Sequence, residues 1–276
     1  MSSLFILGNG FDLAHGLPTK YLDFKNFLIN LYPEAEKNSD EQFYIEDYLD
    51  MSDEEFSAQL LFYAINNASG IEWSDFENAL GYINFYKKFP RRSKEAKQID
   101  DNQDIIGYLL AVDIISNMII QSTKQWQEFF RRWIKSVEQE LERGSYLPKN
   151  TLMHLFGEAD TIYITFNYTK VIQKLYGIKK VIHIHNRVGQ RLIFGHGDDK
   201  ATYIEPLGDG SIGSSFLEDL MMTFRKDTIS PMKKYSDFFK SLNKNINKVY
   251  SYGFSYSKAD KVYIKTIIER IATDAV

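Results

Sequence analysis

Gly8-Asn9-Gly10-Phe11-Asp12 follows directly on the apolar run Leu4–Leu7, and His15-Gly16-Leu17-Pro18 comes next. A glycine turn after a strand lets backbone amides approach a phosphate, because no Cβ stands in the way, and a helix N-terminus behind it favours anions. A plain strand-to-helix turn needs glycine as well, so the two glycines alone leave both readings open. Asn9 and Asp12 add an amide and a carboxylate that a plain turn does not require. The third glycine of the G-x-G-x-x-G fingerprint is missing at its spacing, so the stretch does not read as an ordinary dehydrogenase.

Four later stretches carry chemistry of the same kind. ITFNYT places Asn167 and Tyr168 just beyond a β-branched run. HIHN places His183 and His185 two apart, which on a strand puts both imidazoles on one face. FGHGDD holds His196 between Gly195 and Gly197, with Asp198 and Asp199 behind. YGFSYSKAD brings Gly253, Ser255 and Asp260. Of the five histidines, His15, His183, His185 and His196 fall in these stretches and only His154 lies outside them. A single histidine is usually a structural residue; four at predicted strand ends point to a site.

The elements that must position these groups are readable from periodicity. SLFIL, TIYIT (Thr161–Thr165), VIHIH (Val181–His185), RLIFG (Arg191–Gly195) and KVYSYGF (Lys248–Phe254) read as short buried strands. Leu22, Phe24, Phe27, Leu28 and Leu31 recur at helical spacing, Pro231–Asn245 reads as a polar helix, and ADKVYIKTIIERI as a closing one. Strands alternating with helices predict an α/β fold with a parallel sheet, whose ligands sit outside the carboxyl ends of the strands. Residues 33–150 differ in character, with no convincing strand. Trp73, Phe76, Leu80 and Ile83 share one helical face there, as do Trp126, Phe129, Trp133, Val137 and Leu141. The expected organisation is a Rossmann-like nucleotide-binding domain from 1–32 and 151–276, interrupted by an all-helical insertion at 33–150.

Composition narrows the function classes. The chain has 276 residues, no cysteine, 15% aromatic residues and a formal net charge of −4. Disulfides, thiolate metal sites and cysteine nucleophiles are therefore excluded. The slight acidity argues against a dedicated nucleic-acid binder. No run approaches the roughly 18 apolar residues of a membrane span, and Leu4–Leu7 lacks the basic leader of a signal peptide. A cytoplasmic protein that binds a small-molecule nucleotide is the expectation, and assembly as a homo-oligomer is compatible with it.

Taken together, LFILGNGFDLAHGLPTKYLDFKNFL, WSDFENALG, TFNYT, VIHIH, FGHG and GFSYSKADKVY resemble the AbiH family of bacterial phage abortive-infection proteins. That family in turn looks like a remote relative of SIR2 (sirtuin-like) proteins. Gly8, Gly10, Gly16, Leu17 and Pro18 match the spacing of the sirtuin-like G-A-G-x-S-x-x-x-G-I-P loop, with Asp12 in place of serine. The resemblance implies a SIR2-like site for NAD or a related nucleotide, with Asn167 orienting a water, His185 as general base and Asp12 beside the ribose. It implies that Gly8, Asn9, Gly10, Phe11, His15, Gly195, His196, Gly253 and Ser255 hold the nucleotide. It implies cleavage of the nicotinamide–ribose bond, with no metal. The chain departs from the pattern where Asn186 follows His185 and where Thr169 replaces an aspartate. Without cysteine it lacks the zinc module of sirtuin deacylases, which argues against lysine deacylation more than against NAD. The family often continues beyond the closing helix, which implies a short or truncated C-terminus here.

Two rival readings stand beside this one. His183, His185 and His196, with Asp12, Asp198 and Asp199, offer nitrogen and oxygen ligands for zinc or manganese in a metal-dependent hydrolase or nuclease. A non-catalytic nucleotide sensor is the other. Trp73, Trp126 and Trp133 are expected in the core, KKFPRR as a solvated loop, and Arg225, Lys226, Lys233 and Lys234 on the surface. Tyr21, Tyr168 and Tyr203 are candidate pocket walls.

Overall fold

A computed structural model describes residues 2–41, 51–83, 85, 101–144, 146–156, 160–197, 222–243 and 245–271, with side chains of the long helix described from 117 onward. Four strands form one sheet: β1 (Ser2–Leu7), β2 (Thr161–Thr165), β3 (Ile182–His183) and β4 (Ile246–Tyr252), in the order β3-β2-β1-β4. Every pairing is parallel. The helices are α1 (Asn9–Ala14), α2 (Tyr21–Leu31), α3 (Pro33–Lys37), α4 (Asp53–Ser69), α5 (Phe76–Ala79), α6 (Asp101–Arg143), α7 (Asn150–Phe156), α8 (Val171–Tyr176), α9 (Ile229–Lys234), α10 (Ser236–Ser241) and α11 (Lys261–Ile268). A 3-10 turn, Lys258–Asp260, precedes α11. This is the α/β fold with a helical insertion that the alternation predicts. Among the described residues no helix is long and apolar enough to cross a membrane.

The chain divides into two units by its contacts: Met1–Asp23, Arg131–Asp198 and Lys226–Val276 form one, and Phe24–Phe130 with Asp199–Arg225 the other. The first unit holds the sheet. Because strand side chains alternate, its two faces carry different cores. On one face Phe5 stacks between Tyr163 and Tyr250 at 5.5 and 4.6 Å between ring centroids, with Phe156 of α7 edge-on at 4.9 Å. Phe11 of α1 and Tyr176 of α8 extend this aromatic layer. On the other face Leu4, Ile6, Ile164 and Ile184 pack with Phe239 of α10 and with Tyr263 and Ile267 of α11. Helices thus cover both faces, as a buried parallel sheet requires.

The second unit is helical in its described part. Its core is aromatic: Phe24 meets Trp73, Phe76 and Phe130 edge-on. Trp126 stacks on Phe224 at 5.3 Å and donates its indole N–H to the Ser57 carbonyl. The three tryptophans are buried, as the helical spacing suggests.

Several boundaries differ from expectation, each for a local reason. VIHIH is a ladder only at Ile182–His183, and the chain turns after it. RLIFG forms no strand: the Ile193 amide donates to the His185 carbonyl and the Ile193 carbonyl accepts from the Tyr168 hydroxyl, single bonds rather than a ladder. The polar helix is two short helices, α9 and α10, meeting at Tyr235. Trp73 lies outside α5 with φ of 52°, so four apolar residues at helical spacing share a core without sharing a helix. Lys87–Pro90, Arg91–Arg92, Asp198, Asp199 and Tyr203 lie outside the described residues.

Candidate functional site

The strand order reverses beside β1: β2 and β3 lie on one side, β4 on the other. In such sheets the crevice opens at the carboxyl ends of the two strands flanking that point, here β1 and β4. Gly8 and Gly10 stand at this place, facing Gly253. A Cβ on Gly8 would lie 2.5 Å from the Gly253 carbonyl oxygen, and one on Gly10 2.6 Å from the Gly253 Cα. Gly253 itself has φ of 63°, in the left-handed region that favours glycine. The Gly8 amide donates to the Tyr252 carbonyl, Gly10 to Gly253, and Phe11 to Gly8. The three glycines therefore let two backbones interlock, and those amides are already bonded. Gly16 also has a local reason: with φ of 85° it ends α1, while the Gly16 and Leu17 amides donate to the Leu13 and Asp12 carbonyls. That pattern is a Schellman cap.

Asp12 and Asn167 come together as the sequence implied. The Asn167 amide donates to Asp12 Oδ1 at 2.6 Å, and the Thr169 hydroxyl donates to Asp12 Oδ2 at 2.5 Å. All three side chains are buried. Burial pushes the Asp12 carboxyl up to about 7; the bonds from Thr169 and Asn167 oppose this, and the charge of Glu138 on α6 adds to it. Glu138 is buried and holds the loop after Asn167, accepting the Lys170 amide at 3.0 Å and pairing with its ammonium at 3.2 Å. Asn167 Oδ1 is buried and accepts no hydrogen bond from the described residues. An unpaired buried acceptor is costly unless something fills it.

The two imidazoles of HIHN do not share a face. His183 pairs in register with Thr165, and its Nδ1 lies 3.2 Å from the Asn167 carbonyl while its Nε2 lies 2.6 Å from the Gln173 amide nitrogen. With Nδ1–H donating and Nε2 accepting, the ring is neutral, and burial lowers its pKa to about 4. His185 lies past the end of the ladder, where alternation no longer applies. Its ring meets Phe166 and Tyr263, residues of the aliphatic layer, at 5.3 and 6.4 Å. Its Nε2 lies 2.8 Å from Asp260 Oδ1. Tyr168, next to Asn167 in the chain, faces the same ring at 5.9 Å.

Asp260 is the centre of a second buried group. Lys226 Nζ reaches it at 3.4 Å and the Ser257 hydroxyl donates to Oδ2 at 2.8 Å. Burial alone would raise its carboxyl, but His185, Lys226 and Ser257 outweigh that and hold it below the usual carboxylate range. Lys226 is buried, not on the surface as its sequence context suggested. Its amide donates to the His196 carbonyl at 2.9 Å. Gly197 lies so close to the 3-10 turn that a Cβ would stand 2.5 Å from the Ala259 nitrogen. FGHG thus touches the turn that carries Asp260.

The remaining expected residues take other positions. His15 bridges the Phe11 carbonyl and the Tyr176 hydroxyl, both at 2.7 Å, within the aromatic layer. Asn9 closes the loop by donating to the Thr19 carbonyl. Phe11 packs in that layer too, and Ser255 is exposed. Among the described residues no three His, Asp or Glu side chains group as a metal site. YGFSYSKAD singles out Asp260 without giving it a role, Thr169 stands in the sequence only as a departure from the sirtuin-like pattern, and Lys226 reads as a surface residue. Glu138 carries no signal in the sequence.

No curated protein and no solved structure matches the chain. The family model described as Bacteriophage abortive infection AbiH matches residues 4–276, nearly the whole length, and on that match the chain belongs to the AbiH family.

Proposed function

We propose that this abortive-infection protein acts through a SIR2-like nucleotide site that hydrolyses NAD at the nicotinamide–ribose bond. The observation that carries the reading is the buried Asp12–Asn167–Thr169 unit, with Asn167 Oδ1 left as an open acceptor. An amide fixed by a carboxylate on its nitrogen side presents its oxygen in one orientation, suited to a water or ribose hydroxyl. In the reaction, the bond from ribose C1 to nicotinamide breaks and its electron pair leaves with nicotinamide. Water oxygen bonds to C1, and its proton passes to His185 and then to solvent. The products are nicotinamide, ADP-ribose and a proton. An imidazole with a free ring nitrogen can accept that proton.

The test is nicotinamide release from NAD by the purified protein beside the Asn167→Ala/His185→Ala variant. Release in the wild type and its loss in the variant is the expected result. NAD binding without release in the wild type would favour the sensor reading. The glycine interlock favours that reading too, since its bonded amides must separate before they can meet a phosphate.

A further inference from the structure

His185 has two ring nitrogens, and only one is engaged. Nε2 faces Asp260 Oδ1 at 2.8 Å, while Nδ1 has no hydrogen-bond partner among the described residues. An ionised carboxylate accepts and cannot donate, so the proton of a neutral ring must sit on Nε2. Three features keep the carboxylate in place. Lys226 supplies a buried cation at 3.4 Å, Ser257 donates to the second oxygen, and the Gly197–Ala259 approach fixes the turn. The ring itself is clamped by Phe166, Tyr168 and Tyr263. A buried ion pair of this kind contributes little net stability, because desolvation offsets the attraction. Holding one imidazole tautomer gives the arrangement a purpose.

We infer that Asp260 is a positioning residue for His185: it fixes the Nε2–H tautomer and leaves Nδ1 as the basic nitrogen, with Lys226 and Ser257 keeping the carboxylate ionised and oriented. This rests on the reading of His185 as the base of the NAD-cleaving site. The logic is that of any carboxylate-oriented imidazole base, here with the two nitrogens in reversed roles.

The experiment is nitrogen-15 NMR of protein labelled at histidine, with His185 assigned by its loss in His185→Gln. The wild type is expected to show a protonated Nε2 and an unprotonated Nδ1. Asp260→Asn, whose amide can donate as well as accept, is expected to shift the population toward Nδ1–H. Lys226→Met, which leaves the Asp260–His185 bond in place, is expected to keep Nε2–H. In parallel, nicotinamide release by Asp260→Asn should fall about 100-fold in kcat with KM nearly unchanged, the usual scale of general-base loss. An Nδ1–H tautomer in the wild type overturns the assignment, even if Asp260→Asn fails to fold. So does an Asp260→Asn variant with unchanged tautomer and unchanged kcat. Absence of nicotinamide release in the wild type, together with the expected nitrogen shifts, removes the NAD reading and leaves the positioning role standing.

Discussion

Asp12 shows how one side chain can record its surroundings in a pH profile. Its carboxyl titrates at 3.8 when unperturbed and at about 7 in the fold, chiefly because it is buried. A raised acid contributes stability that is fully present below about pH 4 and lost as pH rises through about 7. Lifting the carboxyl from 3.8 to about 7 corresponds to about 3–5 kcal/mol. Asp12→Asn removes this dependence, so its stability relative to wild type should rise by that order between pH 4 and pH 8, measured by urea denaturation. An equal difference at both pH values would count against a buried, proton-holding Asp12. His183 works in the opposite sense: its depressed pKa of about 4 costs stability as pH falls below 6.5. It is common to both proteins and cancels from the comparison.

At the scale of elements, the junction of β1, α1 and the loop after β4 depends on the absence of side chains. Gly10→Ala would push a Cβ to 2.6 Å from the Gly253 Cα, and neither backbone has room to yield without breaking the Gly10–Gly253 hydrogen bond. We expect a loss of at least 1–3 kcal/mol, the range for overpacking, read as a lower urea midpoint with an unchanged m-value. A stability equal to wild type would mean that the two loops already separate in solution. The same contact explains why a glycine loop that reads as a phosphate cradle need not be one: backbone approach to backbone makes the same demand as backbone approach to phosphate. The histidine pair makes a related point. His183 and His185 diverge because the β3 ladder ends at His183, so a two-residue spacing implied a shared face only as far as the strand lasts.

For the molecule as a whole, the sheet of the first unit carries two unlike cores, one built of stacked rings and one largely aliphatic. Phe5 touches Tyr163, Tyr250 and Phe156 at once and is almost completely buried. Phe5→Ala should cost about 3–5 kcal/mol, a large part of the 5–15 kcal/mol typical of a folded protein. Circular dichroism against urea would read this as a strongly lowered midpoint. A loss below 1 kcal/mol would contradict the packing described. The family match over residues 4–276 takes in residues of both units.

Hydrophobic periodicity is a local property, and it determined what local physics controls. The parallel sheet and the placing of Asp12 and Asn167 just beyond strands were legible from Ser2–Leu7, Thr161–Thr165 and the residues behind them, and the helical character of the described residues between 33 and 150, with its buried tryptophans, from apolar spacing. The order of those ends around the sheet was not, because it depends on which strands pair across more than a hundred residues. That pairing brought Asp12 to Asn167 and Thr169, and the loop after β4 to Gly8 and Gly10. It also buried Lys226 and Asp260 against His185. Charged residues on polar stretches look solvated in sequence. Only the fold decides which of them lose their water, because burial is created by neighbours far along the chain.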